Sequence, residues 1–151
     1  MNNYIHKPTP AFIAASWLAL IAGAAAFLIG LFNATMQLNE KGFYLVLILY
    51  GLFSAVSLQK VVRDKIEGIQ VTALYFSLCW ASIVICIALL SIGLFNATLS
   101  LSEKGFYAMA FLLSLFGAIA VQKNIRDLEY FNQQEITPDT VSSSTSPEQD
   151  Q

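Results

Sequence analysis

Hydrophobic residues in this chain come in long blocks, without the alternation of a strand. The first uncharged block runs from Ala11 to Phe32, 22 residues, just after Pro8 and Pro10. About 20 apolar residues in a helix cross the hydrocarbon core of a bilayer, so this block predicts a first span. The second, Phe43 to Leu58, is short, but turns carrying Glu40 and Lys41 at one end and Gln59 to Asp64 at the other lengthen it, since long basic side chains reach back to the interface. Val71 to Phe95 predicts a third span, and the apolar block after Glu103-Lys104-Gly105 a fourth. Asn39 and Ser102 are candidate N-caps, each followed by a glutamate that suits the helix dipole. Gly68 is the expected break after the second helix, and the third is expected to begin near Thr72. The connections are a polar loop from Asn33 to Asn39, a charged turn from Lys60 to Gln70 and a polar loop from Asn96 to Ser102.

The pattern is written twice, 63 residues apart and without a gap. Gly30-Leu31-Phe32-Asn33-Ala34-Thr35 returns from Gly93 to Thr98, Glu40-Lys41-Gly42-Phe43-Tyr44 from Glu103 to Tyr107, and Gln59-Lys60-x-x-Arg63-Asp64 from Gln122 to Asp127. Twenty of the 35 aligned positions from Gly30 to Asp64 are identical, and Trp17 aligns with Trp80. The repeating unit is therefore two helices and a loop. The repeat also excludes a signal peptide built on Lys7 and the Gly23-Ala24-Ala25-Ala26 stretch, because the equivalent block lies in mid-chain. Because each unit crosses the membrane twice, both copies have the same orientation and are related by a pseudo-two-fold axis along the membrane normal. The expected fold is an all-α membrane protein with four transmembrane helices in two parallel-repeat helical hairpins. Its boundaries are a cytoplasmic N-terminal tail (1–10), a first unit (11–64), a cytoplasmic linker (65–72), a second unit (73–127) and a disordered cytoplasmic tail (128–151). That last segment turns polar and serine-rich from Asn132, with too little apolar surface to offset ordering.

Composition supports the membrane assignment: 56% of residues are hydrophobic and 12% charged, against roughly 25% charged in a soluble domain. A net charge of −2 gives no bias toward nucleic acid. The distribution of Lys and Arg orients the spans. Lys7, Lys60, Arg63, Lys65, Lys123 and Arg126 fall on one side and only Lys41 and Lys104 on the other, which predicts both termini in the cytoplasm. Phe32, Phe43, Tyr44, Phe95, Phe106 and Tyr107 fall near the outer interface and Tyr4 and Tyr130 near the inner one, where aromatic side chains anchor. Cys79 and Cys86 stand seven residues apart, about 10 Å along a helix, too far for a disulfide. They are expected to be apolar packing residues, and the single histidine, His6, lies in the tail.

The two copies of Gly-Leu-Phe-Asn-Ala, Glu-Lys-Gly-Phe-Tyr and Gln-Lys-x-x-Arg-Asp resemble the YiaA/YiaB family of bacterial inner-membrane proteins, whose unit is two transmembrane helices with a characteristic linking section. The resemblance covers Pro10 to Asp127. It implies a four-span protein of the bacterial inner membrane, and brings with it no reaction, substrate or cofactor.

The repeated polar motifs are the candidate sites. Asn33 and Asn96 are read as helix terminators that tolerate a left-handed conformation; the alternative is a ligand site on the outer face. Glu40 and Lys41, with Glu103 and Lys104, either pair across the pseudo-axis, Glu40 with Lys104 and Lys41 with Glu103, or remain solvated interface charges. Lys60, Arg63, Lys123 and Arg126 are candidate contacts for anionic lipid or a partner, or a plain positive-inside signature. Small-residue stripes, Ala19, Gly23, Ala26 and Gly30 on the first helix, Gly51 and Ala55 on the second, and Ala110, Ser114 and Ala118 on the fourth, let helices approach closely. The first and third spans and the midsections of the other two carry no Asp, Glu, Lys, Arg or His, which argues against a coupled transporter; hydrolase motifs are missing as well. The expectation is a non-enzymatic, structural, lipid-associated or partner-binding protein without a cofactor, whose partners are membrane lipids and a further copy or another membrane protein. The alternative is a small oligomeric transporter or channel lined by Ser54, Ser57, Ser77, Ser82, Ser91 and Ser114.

Overall fold

A computed structural model describes residues 8–142 as four helices: α1 (Pro10–Asn33), α2 (Leu38–Ile66), α3 (Ala73–Asn96) and α4 (Leu101–Ser142). Each is long and apolar enough to cross a membrane, and side chains such as Leu18, Val46, Phe53, Leu74 and Met109 are exposed on the outside of the bundle, as contact with lipid requires. Tyr4, His6, Lys7 and residues 143–151 lie outside the described residues.

Local chemistry sets the ends. Thr9 caps α1 by accepting from the Phe12 amide at 3.3 Å, with Pro10 in the first turn. Helix α2 starts at Leu38 rather than after Asn39, because the Glu40 carboxylate accepts from the Gln37 amide at 3.0 Å. Helix α4 likewise starts at Leu101, two residues before Glu103. Ser100 accepts from the Glu103 amide, and Glu103 accepts from both the Ser100 amide and its hydroxyl at 2.8 Å, a reciprocal capping box. The caps are thus Gln37 and Ser100, each two residues ahead of Asn39 and Ser102. After α2, Gly68 adopts φ +79, and Thr72 precedes α3. Helix α4 does not stop near Asp127: it continues to Ser142, so residues 128–142 are helical where composition predicted a disordered tail. Its helix-favouring Leu128 and Glu129 follow Asp127 with no Gly or Pro to break the turn.

The hairpins are not packed on themselves. Helices α2 and α4 run parallel at the centre, α1 lies along α4, and α3 lies along α2. Each first helix thus packs on the second helix of the other repeat. Small residues make this possible. A Cβ on Gly23 would stand 2.7 Å from the Ser114 amide nitrogen, and one on Gly117 would stand 2.4 Å from that of Leu20, so α1 and α4 touch backbone to backbone. In the equivalent pair, Cys86 replaces Gly23, Gly51 replaces Ser114, and Ser54 replaces Gly117; the bulk moves to the opposite partner, and Cys86 fills the space beside Gly51.

The repeated motifs interlock in the same crossed way. Gly30 lies against Phe106 and Tyr107, and Gly93 lies against Phe43 and Tyr44. Tyr44 and Tyr107 are only 4% exposed and stack across the pseudo-axis at 6.4 Å. They are core residues and not the interface anchors that their sequence position suggested, because α2 and α4 face each other at that level. Phe32 and Phe95 remain exposed.

Candidate functional site

The polar chemistry gathers at two ends of the bundle. At the end bearing the Gly68 turn, α2 and α4 each supply Arg-Asp one turn beyond their apolar stretch, and the parallel arrangement brings the two dipeptides together. Arg63 donates from Nη1 to Asp127 Oδ1 at 3.0 Å, and Arg126 donates from Nη2 to Asp64 Oδ1 at 3.2 Å. These bonds are images of each other under the repeat. The Asp127 and Asp64 side chains are 9% and 11% exposed, so the bonds form in partly desolvated surroundings, where charge-assisted contacts are stronger than on a wet surface. Lys60 adds a bond to Asp64 Oδ2 at 3.0 Å, and Arg63 holds Glu67 at 2.6 Å. The symmetry breaks at Lys123: both lysines are exposed, but Lys60 is tied to its aspartate and Lys123 makes no bond to Asp127.

Just inside this end, the buried Asn124 amide donates to Ser16 Oγ at 3.0 Å, and Ser16 donates to the Phe12 carbonyl. Their repeat counterparts, Val61 and Cys79, are buried and apolar. Cys79 and Cys86 are both free thiols. On the α3 side, a cleft of about 540 Å³ opens between α2, α3 and α4. Leu58 and Val62 form one wall, Ile83 the second, and Leu115 and Ile119 the third, while Arg63 and Lys123 stand at its charged end.

At the loop end, two equivalent hollows of about 320 and 260 Å³ pair Asn96 with Glu40 and Asn33 with Glu103, each asparagine from one repeat and each glutamate from the other. The asparagine amides donate to Ile92 and Ile29 carbonyls at 2.8 and 2.7 Å, closing the last turn of α3 and α1. The structure does not bring Glu40 to Lys104 or Lys41 to Glu103. Lys41 donates to the Phe32 carbonyl at 2.9 Å and Lys104 to that of Phe95 at 3.1 Å, satisfying the unpaired C-terminal carbonyls of the preceding helix inside their own hairpins. A lysine at a helix C-terminus is worth about 0.3–1 kcal/mol. Lys41→Met and Lys104→Met are each expected to lower stability by that amount, and a Lys41/Glu103 double-mutant cycle to give coupling near zero; reversible unfolding in detergent measures both.

The cross-repeat pairing therefore lies at the opposite end from the one the sequence suggested. Its signal was available, since Arg-Asp recurs in both units and two parallel helices related by a pseudo-two-fold axis place each arginine opposite the other aspartate. Of the six serines named for a pathway, Ser54 and Ser114 are buried at helix contacts within the chain, while Ser77 and Ser91 are exposed on α3. Among the described residues, no three His, Cys, Asp or Glu side chains form a metal-holding group.

The crossed geometry is that of a duplicated two-helix unit, and comparison with known proteins identifies the unit. The yiaA/B two helix domain matches residues 12–64 and again 75–127. The chain is 59% identical to the inner membrane protein YiaA of Escherichia coli K12 over 127 residues, 84% of this chain and 88% of the relative. It is 30% identical to the inner membrane protein YiaB of the same organism over 66% of this chain and 85% of the relative. It is 36% identical to the uncharacterized membrane protein YubF of Bacillus subtilis 168 over 48% of this chain and 85% of the relative. No solved structure matches. The chain belongs to the YiaA/B family: it is a multi-helix inner-membrane protein that carries the family's two-helix domain twice.

Proposed function

We propose that the protein is a non-enzymatic structural element of the inner membrane, a clamped bundle that associates with lipid or a membrane-protein partner and keeps both termini in the cytoplasm. The observation that carries this reading is the reciprocal Arg63–Asp127 and Arg126–Asp64 pairing. The Arg-Asp dipeptides that recur in both units hold each other across the repeats, so that one helix pair cannot leave without breaking the other. Arg63, Arg126 and Lys60 thus serve the fold first, which leaves Lys123 as the repeated cation best placed to meet a lipid or a partner.

The orientation rests on the concentration of Lys and Arg at the clamp end. Fusing a reporter after Gln151 tests it: green fluorescent protein is expected to fluoresce and alkaline phosphatase to stay inactive, and the opposite pattern inverts the topology. The structural role is tested in proteoliposomes. Proton and potassium flux is expected to equal that of protein-free vesicles; a flux that disappears on changing Ser54, Ser82 and Ser114 to alanine replaces this reading with a transporter or channel.

A further inference from the structure

The two halves of the bundle repeat one plan, so the places where they differ stand out. Beside α1, the groove next to α4 is closed, because Leu20 lies on the backbone of Gly117 and Gly23 on that of Ser114. Beside α3, Ser54 and Cys86 occupy the positions of Gly117 and Gly23. There α3 packs less extensively on α2 than α1 does on α4, and the cleft of about 540 Å³ opens between α2, α3 and α4. The same half holds the unmatched cation. Both lysines are exposed, but Lys60 is bound to Asp64 at 3.0 Å, whereas Lys123, at the charged end of the cleft, makes no bond to Asp127.

The dimensions suit one leaflet. Along α2 the lining runs from Ala55 to Ile66, about 16 Å at 1.5 Å per residue, close to half of a hydrocarbon core about 30 Å thick. Along that length the wall is apolar up to Val62 apart from the Gln59 amide, Arg63 and Lys123 stand toward the end at Ile66, and no carboxylate lines it. An apolar slot one leaflet deep with a basic mouth is complementary to a single amphiphile, with a hydrocarbon chain in the slot and an anionic phosphate at the lysine.

We infer that this cleft is a binding site for one anionic phospholipid, whose acyl chain lies between α2, α3 and α4 and whose phosphate is held by Lys123, with the Arg63 guanidinium alongside. What sets it apart from its counterpart in the first repeat is the close seating of Leu20 on Gly117 there and the Lys60–Asp64 bond. The inference deepens the lipid association proposed above but depends only on the bundle standing in a bilayer, so it can fail while the structural reading survives.

The protein carries its own reporters. Trp80 lines the cleft, and Trp17 is its repeat counterpart on α1. The full chain is reconstituted in phosphatidylcholine containing a minor fraction of either bromine-labelled phosphatidylglycerol or bromine-labelled phosphatidylcholine, and tryptophan quenching is read. In W17F, which leaves Trp80, phosphatidylglycerol should quench at about one-fifth the mole fraction that phosphatidylcholine needs, the preference that one basic contact at the surface confers. K123Q in that background should abolish the preference and K60Q should keep it. In W80F, which leaves Trp17, the two lipids should quench alike. Equal quenching of Trp80 by both lipids, or equal effects of K123Q and K60Q, overturns the site; a preference seen at both tryptophans reduces it to the general attraction of the basic end and overturns it as well.

Discussion

Gly117→Ser is expected to destabilise the bundle by about 3 kcal/mol, at the upper end of the 1–3 kcal/mol usual for overpacking, although serine is the residue that the other repeat carries at the same position. A Cβ at Gly117 would lie 2.4 Å from the amide nitrogen and 2.6 Å from the Cα of Leu20. Both are backbone atoms, so no rotamer change relieves the clash and α1 as a whole has to move. Moving α1 loosens the Gly23 contact with Ser114 and stretches the Ser16–Asn124 hydrogen bond, which leaves a buried amide poorly satisfied. At the equivalent Ser54 the side chain fits because α3 stands farther out. Gly42 and Gly105 supply the control: a Cβ there meets nothing within 4 Å. Gly42→Ala and Gly105→Ala are therefore expected to stabilise by about 0.5–1 kcal/mol each through helix propensity. Reversible unfolding in mixed micelles, followed by far-UV circular dichroism, reads all three.

Asp64→Asn is the second large effect, and it should exceed Asp127→Asn. Asp64 holds two cations, Lys60 at 3.0 Å and Arg126 at 3.2 Å, and its side chain is 11% exposed. Removing its charge leaves both cations without a carboxylate. Exposed pairs contribute about 0–1 kcal/mol and removal of one partner of a buried pair costs about 3–5; at this partly buried depth a loss of about 2 kcal/mol is expected. Asp127→Asn leaves Arg63 still bound to Glu67 at 2.6 Å, so about 1 kcal/mol is expected. A double-mutant cycle on Asp64 and Arg126 should show coupling of at least about 1 kcal/mol, and one on Asp64 and Arg63, which hold different partners, should show little. Equal losses for the two aspartates would mean that the clamp is solvated and works by net charge alone.

Helix number, the duplication and the parallel orientation of the units were legible in the sequence because they depend on local features: uncharged block length and a gapless repeat. The helix starts were misplaced by two residues because Asn39 and Ser102 are good caps in isolation, whereas the Ser100-x-x-Glu103 and Gln37-x-x-Glu40 spacings satisfy the backbone amides more completely. What the repeat cannot express is which helix packs on which. A hairpin packed on itself and a crossed pair have the same sequence periodicity, and the choice depends on whether Gly30 receives the Phe-Tyr pair of its own unit or of the other. For that reason Tyr44 and Tyr107 read as interface anchors and proved to be core, and the lysines of the loop motifs, read as either cross-repeat partners or solvated interface charges, proved to be local caps. The asymmetry at Lys123 was hidden for the same reason, because identical motifs mask different neighbours.

Thiol cross-linking in native membranes distinguishes crossed pairing of the helices from hairpins packed on themselves. In a chain with Cys79 and Cys86 changed to alanine and a protease site in the Gly68 turn, Ser16→Cys is combined either with Asn124→Cys on α4 or with Val61→Cys, the repeat equivalent of that position on α2. The Ser16 and Asn124 side chains are 3.0 Å apart, so a short cross-linker should join that pair and hold the two halves together after cleavage, while the Val61 pair stays unlinked. Efficient linking of Ser16→Cys to Val61→Cys, with halves that separate when Asn124→Cys is used, would contradict the crossed bundle and return each hairpin to packing on itself.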